Sequence, residues 1–278
     1  MGMLYVIDNF ISSDTPLYSS SISTAAWVEL ALIYNKRPSK PYRWEGQGTP
    51  ANPEWICVDL TEARHVTFCG IFNHNFILTG SADLLEIKNC NLPCPGISAG
   101  CDWDLADTEN LMDRLVNNFR NLYEVIDFTN QYVTLEIVDQ NNPYPIEIGD
   151  WVLGDAEEFT NARLQPYMAD GPAFKRTRST THYGQNWQQS LSEAYTFDIE
   201  IIVSGAANQV DELQYFLRRV HNVGGSFVFI PRSDLPFAYY VFIENESDFA
   251  NQLARGRTRK AYSYKLKLQS LTEGISLL

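Results

Sequence analysis

The sequence predicts a mainly β protein in two parts: an N-terminal β-sandwich of the jelly-roll type over residues 1–159, then an α+β domain over residues 160–278. Three observations predict this fold class. Short runs of strand-like composition, separated by turn residues, recur through the first part. One strongly amphipathic helix lies among further strands in the second part. A chain of 278 residues, 45% of them hydrophobic, is also long and apolar enough to bury packed cores.

The first part contains regular strand patterns. The runs EWICVDL (54–60) and HVTFCGIF (65–72) are joined by the polar segment TEAR, which predicts a hairpin or a pair of sandwich strands. Three later runs also have strand character: ADLLEIKN (82–89), QYVTLEIVD (131–139) and IEIGDWVLG (146–154). Many short strands with little helix favour a sandwich or jelly roll.

The second part contains the clearest helix. Asn208 as N-cap and Gly224–Gly225 as a stop predict a helix over about 209–223. Its apolar stripe comprises Val210, Leu213, Phe216, Leu217 and Val220. Strands are predicted at 194–203, 226–231, 237–246 and 261–271. The pattern indicates an antiparallel sheet or sandwich with one packed helix.

The charge balance narrows the range of partners. The formal net charge is −13 and the pI is about 4.7, which disfavours nucleic acid and anionic membranes because those partners select for Lys and Arg. No segment resembles an export signal or a membrane span, so we expect a soluble protein made in a cytosol, without direct membrane insertion. The basic cluster RGRTRK is too short for a nucleic-acid patch and fits an oligomer contact to an acidic neighbouring subunit better. Its cations are Arg255, Arg257, Arg259 and Lys260.

The cysteines allow two interpretations. Five cysteines, an odd number, argue against a disulfide framework in a chain without an export signal. Cys90, Cys94 and Cys101 share one loop that is rich in Pro and Gly. They form either an iron–sulfur or zinc site, with Cys57 or Cys69 as a distant fourth ligand, or an irregular loop with free thiols. Because their spacing matches neither a CxxC knuckle nor a common ferredoxin run, we expect no cofactor.

The sequence shows no catalytic constellation. His74 follows the run 65–72, and a catalytic base there would need a nucleophile or an orienting acid nearby. The sequence contains no GxSxG elbow, no HExxH motif and no paired His ligands. The alternative is a histidine that is hydrogen-bonded at a strand end. We therefore expect no enzyme activity and no catalytic residue.

Aromatic residues near loops are the candidates for recognition. Tyr42, Arg43 and Trp44 lie in the proline-rich segment 36–53, and Trp103 lies in the cysteine loop. Aromatic faces at sandwich loops can bind sugars, and they also anchor protein partners. We expect these four residues to contact a glycan or a protein partner.

Several segments resemble a known type of protein. The runs EWICVDL, VTFCGIFNHN, YVTLEIVDQNN and IEIGDWVLG are similar to the strand sequence of discoidin-like, galactose-binding-like jelly rolls in tail proteins of long-tailed bacteriophages. The positions that carry this resemblance are Trp55, Asp59, His74, Asn75, Ile148, Gly149 and Gly154. In the second part, HYGQNW, the amphipathic helix and SFVFIPRSDLP resemble the C-terminal, tail-tube-like part of the same proteins.

This resemblance implies a virion structural protein of the tail tip or baseplate, similar to distal-tail proteins and synthesised in the host cytoplasm. Its partners would be identical subunits in a ring and the tube, hub and tape-measure proteins, with the second part as the oligomerisation domain. His74 and Asn75 would brace a corner of the scaffold. Edge strands such as FAYYVFIENE (237–246) would pair across subunits. The alternative is a glycan-binding adhesin module for host attachment.

Overall fold

The computed structural model describes residues 2–21, 29–34, 40–91, 107–114, 120–159, 161–164, 172–180, 186–204, 207–246, 248–250, 252 and 261–270. The strands of the first half are β1 (Leu4–Val6), β2 (Leu17–Ser19), β3 (Tyr42–Arg43), β4 (Glu54–Phe72), β5 (Leu84–Cys90), β6 (Asp107–Asn110), β7 (Asn121–Val138), β8 (Glu147–Ile148) and β9 (Asp150–Gly154). They are followed by β10 (Glu157–Glu158), β11 (Ala162–Leu164), β12 (Pro172–Thr180), β13 (Asn186–Ser204), helix α1 (Ala207–Asn222), β14 (Ser226–Ile230), β15 (Tyr239–Ile243) and β16 (Ala261–Ser270). The protein is therefore mainly β, with antiparallel sheets, which confirms the predicted fold class.

The chain forms two compact units. The sandwich unit comprises Asp8–Ala156 and Asp234–Ala238. The sheet-and-helix unit comprises Met1–Ile7, Glu157–Ser233 and Tyr239–Leu278. Both units include segments that are far apart in the sequence, so neither is a single continuous stretch of chain.

The first seven residues belong to the sheet-and-helix unit, whereas the sequence analysis placed them in the jelly roll. β1 pairs antiparallel with β14 and with β10. The side chains of Met3, Tyr5 and Ile7 are buried in the apolar core of that unit. The weak alternation of this short segment indicates a strand, but its pairing partner lies more than 200 residues away along the chain.

The sandwich unit is built around two long neighbouring strands, β4 and β7. Its larger sheet has the strand order β2-β4-β7-β5-β6, with β9 also paired to β4, and a two-stranded sheet pairs β3 with β8. Side chains from both sheets form one apolar cluster. Ile56, Leu135 and Ile87 lie opposite one another on β4, β7 and β5, and all three are fully buried. One face of the larger sheet therefore packs in the core.

The two runs predicted as a hairpin or a strand pair are the two halves of one strand. β4 continues from Glu54 to Phe72 and pairs antiparallel with β7 along both halves. The segment TEAR lies at a register shift between Asp59 and Arg64. There Thr61 has a φ of 65°, and its amide donates to Asp59 Oδ1 at 2.8 Å. Extra residues on one strand are accommodated as a bulge, so TEAR bends the strand instead of reversing it.

His74 and Asn75 brace the corner that follows β4. The side chain of Asn75 donates to the carbonyl of Pro145 at 2.8 Å and accepts from the amide of Glu147 at 2.8 Å. The amide of His74 donates to the carbonyl of Arg120 at 2.9 Å. The two bonds of the Asn75 side chain join chain segments about 70 residues apart, so Asn75 stabilises the corner after β4.

The sheet-and-helix unit contains an eight-stranded antiparallel sheet in the order β10-β1-β14-β15-β16-β13-β11, with β12 paired to β13. β15 lies in the run FAYYVFIENE, which was predicted to be an edge strand. It pairs with β14 on one side and with β16 on the other. Its backbone donors and acceptors are used on both sides, so this strand is not the intersubunit edge that was predicted.

Helix α1 packs on this sheet through its predicted apolar stripe. Val210, Leu213, Phe216 and Val220 are buried in the core of the unit. The helix ends at Asn222. Gly224 and Gly225 follow it with φ values of 93° and 83°, and the amide of Gly225 donates to the carbonyl of Val220 at 2.8 Å. In the described ranges, no helix is both long and apolar enough to cross a membrane.

Candidate functional site

Trp55 begins a row of polar side chains across the outer face of the larger sheet of the sandwich unit. Trp55 on β4 pairs with Glu136 on β7, and Glu136 pairs with Glu86 on β5. Lys88 lies two residues further along β5 and therefore on the same face. The alternating residues of these strands point into the core, so the row faces away from it.

A groove of about 670 Å³ lies beside this row. It is lined by Ser20, Ser21, Pro50, Ala51, Asn52, Pro53, Glu54, Trp55, Lys88 and Glu136. Its proline-containing wall is held by a pair of backbone bonds between Thr49 and Asn52, at 2.9 and 3.0 Å. The volume is within the range of small-molecule sites, and the lining combines one indole, prolines and several polar groups, which is typical of such sites.

Glu54 is held in place at one end of the groove. Its carboxylate accepts a hydrogen bond from the hydroxyl of Ser21 at 2.8 Å and another from the hydroxyl of Ser20. The Ser20 hydroxyl also accepts from the amide of Trp55 at 2.9 Å. Because a carboxylate has about four lone-pair positions, Glu54 can accept further hydrogen bonds from a ligand.

A second carboxylate belongs to an ion pair between Lys88 and Glu136. The side chains of Lys88 and Glu136 are only 17% and 11% exposed, so this pair is shielded more than an ordinary surface pair. Partial burial raises the pKa of the neighbouring Glu86, Lys88 opposes this shift and Glu136 adds to it. The groove therefore contains fixed charges of both signs next to an aromatic ring.

The predicted recognition residues Tyr42 and Trp44 lie in the core and not at the surface, which corrects the expectation from their proline-rich segment. Both are fully buried. The indole Nε1 of Trp44 donates to the carbonyl of Trp55 at 3.2 Å, and the hydroxyl of Tyr42 donates to the carbonyl of Ser21 at 2.6 Å. These two aromatics support the backbone beneath the groove, because β3 and the residue that follows it place them in the apolar core of the sandwich unit.

The other predicted site residues fall into two groups. Arg43 forms an ion pair with Glu147 on β8, and its side chain is 34% exposed. Trp103 and the basic residues Arg255, Arg257, Arg259 and Lys260 lie outside the described residues. Their predicted roles as glycan, partner or oligomer contacts stay predictions.

The structure places the predicted cysteine ligands as follows. Cys90 lies at the end of β5 and is not part of a disulfide, and Cys94 and Cys101 lie outside the described residues. Cys57 is disulfide-bonded, which differs from the expectation that disulfides are absent. Cys69 is fully buried, and burial raises the pKa of its thiol to about 12. Neither of the two proposed fourth ligands is therefore suited to bind a metal as a thiolate.

Acidic, His and Cys side chains are the usual protein ligands of a metal ion. Within the part of the chain that the structure describes, no group of three or more such side chains is placed to hold a metal ion. The expectation of no cofactor stays a prediction, because Cys94 and Cys101, two members of the alternative three-cysteine site, fall outside that part.

His74 is a buried structural residue. Its Nδ1 accepts from the amide of Phe76 at 3.2 Å, and its ring stacks on Phe76 with centroids 4.3 Å apart. Burial, with a smaller contribution from Arg120, lowers the pKa of His74 to about 3. A buried imidazole that is so weakly basic is unsuited to general-base catalysis near neutral pH.

The sequence analysis did not select the residues that line the groove. Trp55 appeared there only as a position that carries the resemblance. The run EWICVDL contained an indication of its exposure, because alternation along a strand places Trp55 on the face of the sheet opposite to the apolar Ile56 and Val58. No local sequence pattern indicates that Ser20, Lys88 and Glu136 line the same groove, since they come from separate strands and loops.

Comparisons with solved structures detect likeness over about half of the chain. One neighbour is chitosan-binding module 1 of a chitosanase/glucanase from Paenibacillus sp. IK-5, with 14% identity over 53% of this chain and 99% of that chain, and a TM-score of 0.40. Another is a fucose binding module of Streptococcus pneumoniae, with 12% identity over 53% and 94% of the two chains and a TM-score of 0.35. A third is the lectin domain of lectinolysin complexed with Lewis B antigen, with 12% identity over 52% and 95% and a TM-score of 0.35.

These solved neighbours are carbohydrate-binding proteins. With TM-scores of 0.40 and below for these three, the likeness does not establish a ligand or a binding position in this chain. No protein-family model and no curated protein sequence matches the chain.

Proposed function

We propose that the sandwich unit binds a carbohydrate in the groove beside Trp55. The observation that carries this proposal is the combination of a partly exposed indole with two carboxylates whose positions are already fixed, Glu54 and Glu136. Sugars present an apolar face of C–H groups and a rim of hydroxyls, and a site with one aromatic face and several oriented polar groups matches both features. This is the glycan-binding alternative from the sequence, with different residues.

The contacts would divide between the aromatic ring and the polar groups. The C–H face of a sugar ring would pack on Trp55, while its hydroxyls donate to Glu54 and Glu136. The exposed amide of Asn52 can both donate and accept, and Lys88 donates. Hydrogen bonds to charged groups are stronger than those between neutral groups, and the serine hydroxyls and Lys88 hold the two carboxylates before a ligand arrives.

The test is glycan-array binding of the full chain, followed by calorimetric titration of the strongest glycan. We expect Trp55→Ala to weaken binding by about ten-fold or more, since aromatic anchors carry much of the binding energy at such sites. Trp55→Phe should recover part of it because it restores an aromatic face. Tyr144→Ala is the matched control, because Tyr144 is 63% exposed in the same unit and does not line the groove. An array without binding, or equal binding by Trp55→Ala, would refute the proposal.

A second candidate function is assembly into a larger structure, as in the tail component that the sequence resemblance implies. One observation favours it. β12 and the first half of β13, up to Tyr195, pair only with each other among the described strands, whereas the second half of β13 pairs with β16. Two-stranded ribbons are marginally stable alone, and unpaired strand edges accept another chain. This ribbon supports assembly with another chain. A role in a virion tail and the lack of enzyme activity stay proposals.

This second candidate is tested by shortening the ribbon. Ala173 pairs with Ala194, so residues 174–193 can be replaced by Asn-Gly, which closes a two-residue turn at that register. Light scattering over a range of concentrations should show a defined oligomer for the full chain and a monomer for the shortened chain. A full chain that stays monomeric at every concentration would exclude assembly with identical subunits.

A further inference from the structure

The hydroxyl of Tyr42 lies beneath the proposed carbohydrate site. Tyr42 does not line the groove, and its side chain is fully buried. Its hydroxyl donates to the carbonyl of Ser21 at 2.6 Å and lies 2.6 Å from the hydroxyl of Ser19. Ser20 and Ser21 both line the groove. This buried tyrosine is therefore connected to the groove through the segment Ser19–Ser21.

The direction of these bonds follows from the chemistry of the phenol. Burial raises the pKa of Tyr42 to about 12, with the hydrogen bond to Ser19 opposing this shift and the charge of Glu54 adding to it. The hydroxyl therefore keeps its proton at neutral pH and donates it to the carbonyl of Ser21, while its oxygen accepts from Ser19. Because Ser19 is the last residue of β2, Tyr42 holds the chain at the point where strand pairing ends.

The two serines that follow direct their hydroxyls to Glu54. Ser21 donates to Glu54 Oε2 at 2.8 Å, and Ser20 donates to the same oxygen. The amide of Trp55 donates to Ser20 Oγ at 2.9 Å, and the amide of Glu45 donates to Ser21 Oγ at 3.1 Å. Each hydroxyl has one proton, so these short bonds direct both serine protons to the carboxylate.

The other oxygen of Glu54 remains for a ligand. Within the described ranges, no residue donates a hydrogen bond to Glu54 Oε1, and no cation pairs with this carboxylate. Glu54 is only 9% exposed, so the serines fix its position more than solvent does. This end of the groove therefore presents an acceptor, which fits a hydroxyl of a sugar and repels an anionic group.

We propose that Tyr42 is a positioning residue of the carbohydrate site, which orients Glu54 through the segment Ser19–Ser21. This inference rests on the proposed function, because the ligand of Glu54 is the carbohydrate. The tyrosine hydroxyl holds the segment, the serine hydroxyls hold Oε2, and Oε1 accepts from a sugar hydroxyl. A group that is already ordered costs less to order on binding, so loss of this one hydroxyl lowers affinity without removing a contact to the ligand.

The first measurement is amide hydrogen exchange of the full chain without a glycan. Tyr42→Phe removes the hydroxyl and keeps the buried ring. We expect the amides of Ser20, Glu45 and Trp55 to exchange about five-fold faster or more, since all three make hydrogen bonds at this segment. Tyr18→Phe is the matched control, because Tyr18 lies in the same strand as Ser19 and its hydroxyl is not bonded to the three serines. Unchanged exchange in Tyr42→Phe would overturn the inference.

The second measurement is calorimetric titration with the glycan that the unmodified chain binds, at a temperature at which every variant is folded. We expect Tyr42→Phe to lower affinity by about five-fold and Tyr18→Phe to leave it unchanged. In a Glu54→Ala background, Tyr42→Phe should lower affinity by less than about two-fold, because the group that it positions is absent.

A purely structural role for Tyr42 predicts a different result. The affinity of the folded chain would then be unchanged, or it would fall equally in both backgrounds, and either result would contradict a positioning role. If no glycan binds, the proposed function fails, and the exchange measurement still decides whether Tyr42 holds the serine segment.

Discussion

Replacing Trp44 by Ala separates a core role from a ligand-contact role for this residue. The sequence analysis placed Trp44 in a surface loop that contacts a glycan, whereas the structure buries its side chain completely. The two roles predict different results for the same substitution. A core residue contributes mainly to the stability of the sandwich unit, and a surface contact contributes mainly to binding.

The magnitude follows from the surroundings of the indole. Truncation of a fully buried Trp to Ala costs about 3–5 kcal/mol, and the lost edge-to-face contact with Tyr42, whose centroid lies 4.8 Å away, adds about 0.5–1.5 kcal/mol. The lost hydrogen bond to the carbonyl of Trp55 adds little, because that carbonyl also accepts from the amide of Ser20 at 3.0 Å. We therefore expect Trp44→Ala to lower the free energy of unfolding by about 4–6 kcal/mol.

The assay is urea unfolding of the full chain followed by far-ultraviolet circular dichroism. Trp55→Ala is the comparison variant, and because its side chain is partly exposed we expect a loss of only about 1 kcal/mol. Trp44→Phe should lose about 1–2 kcal/mol, which keeps the test informative if the alanine variant does not fold. If the sheet-and-helix unit unfolds in a separate transition, the urea midpoint of that transition should be the same in all variants.

The reasoning would be refuted by the opposite pattern. If Trp44→Ala unfolded within about 1 kcal/mol of the unmodified chain and lost only glycan binding, Trp44 would be an accessible contact and its assignment to the core would be wrong.

Three further predictions concern the stability of the fold. Asp139→Ala should lower the free energy of unfolding in urea by about 3 kcal/mol, because the fully buried carboxylate accepts hydrogen bonds from two backbone amides and one side-chain amide at 2.9 to 3.0 Å. Asp127→Ala is the control: the side chain of Asp127 is 86% exposed, so its loss should change the free energy of unfolding by less than about 0.5 kcal/mol. The pKa of His74 is about 3 in the folded chain, whereas the imidazole of the unfolded chain binds a proton below about pH 6.5. The free energy of unfolding should therefore fall as the pH is lowered through this window, by up to about 1.4 kcal/mol per pH unit. A His74→Gln variant should show a shallower pH dependence than the unmodified chain, and an equally steep one would contradict this prediction. Gly48→Ala should lower the melting temperature more than Gly224→Ala, since both have positive φ but a Cβ on Gly48 would lie 2.5 Å from a carbonyl oxygen and one on Gly224 would meet no atom within 4 Å.

Local patterns in the sequence predicted the elements of the fold more reliably than their pairing. Helix α1 buries most of its predicted apolar stripe and is followed by the predicted glycine pair, because periodicity and C-terminal capping depend on neighbouring residues only. The prediction of a hairpin at TEAR was wrong. A polar turn and a polar bulge have the same composition, and only the pairing shows that the chain before and after TEAR is one strand, with both halves paired to β7. The same limit made an interior strand, β15, look like an edge strand.

The sequence by itself determined that the chain is mainly β, that one amphipathic helix packs on a sheet, and that His74 and Asn75 end a strand run. Only the tertiary structure decided which aromatic residues are accessible. Tyr42 and Trp44 are fully buried, while Trp55 on the next long strand faces a groove completed by Ser20, Lys88 and Glu136. Strand alternation specifies two faces, but the pairing of strands distant in sequence decides which face is covered and which side chains meet on the other.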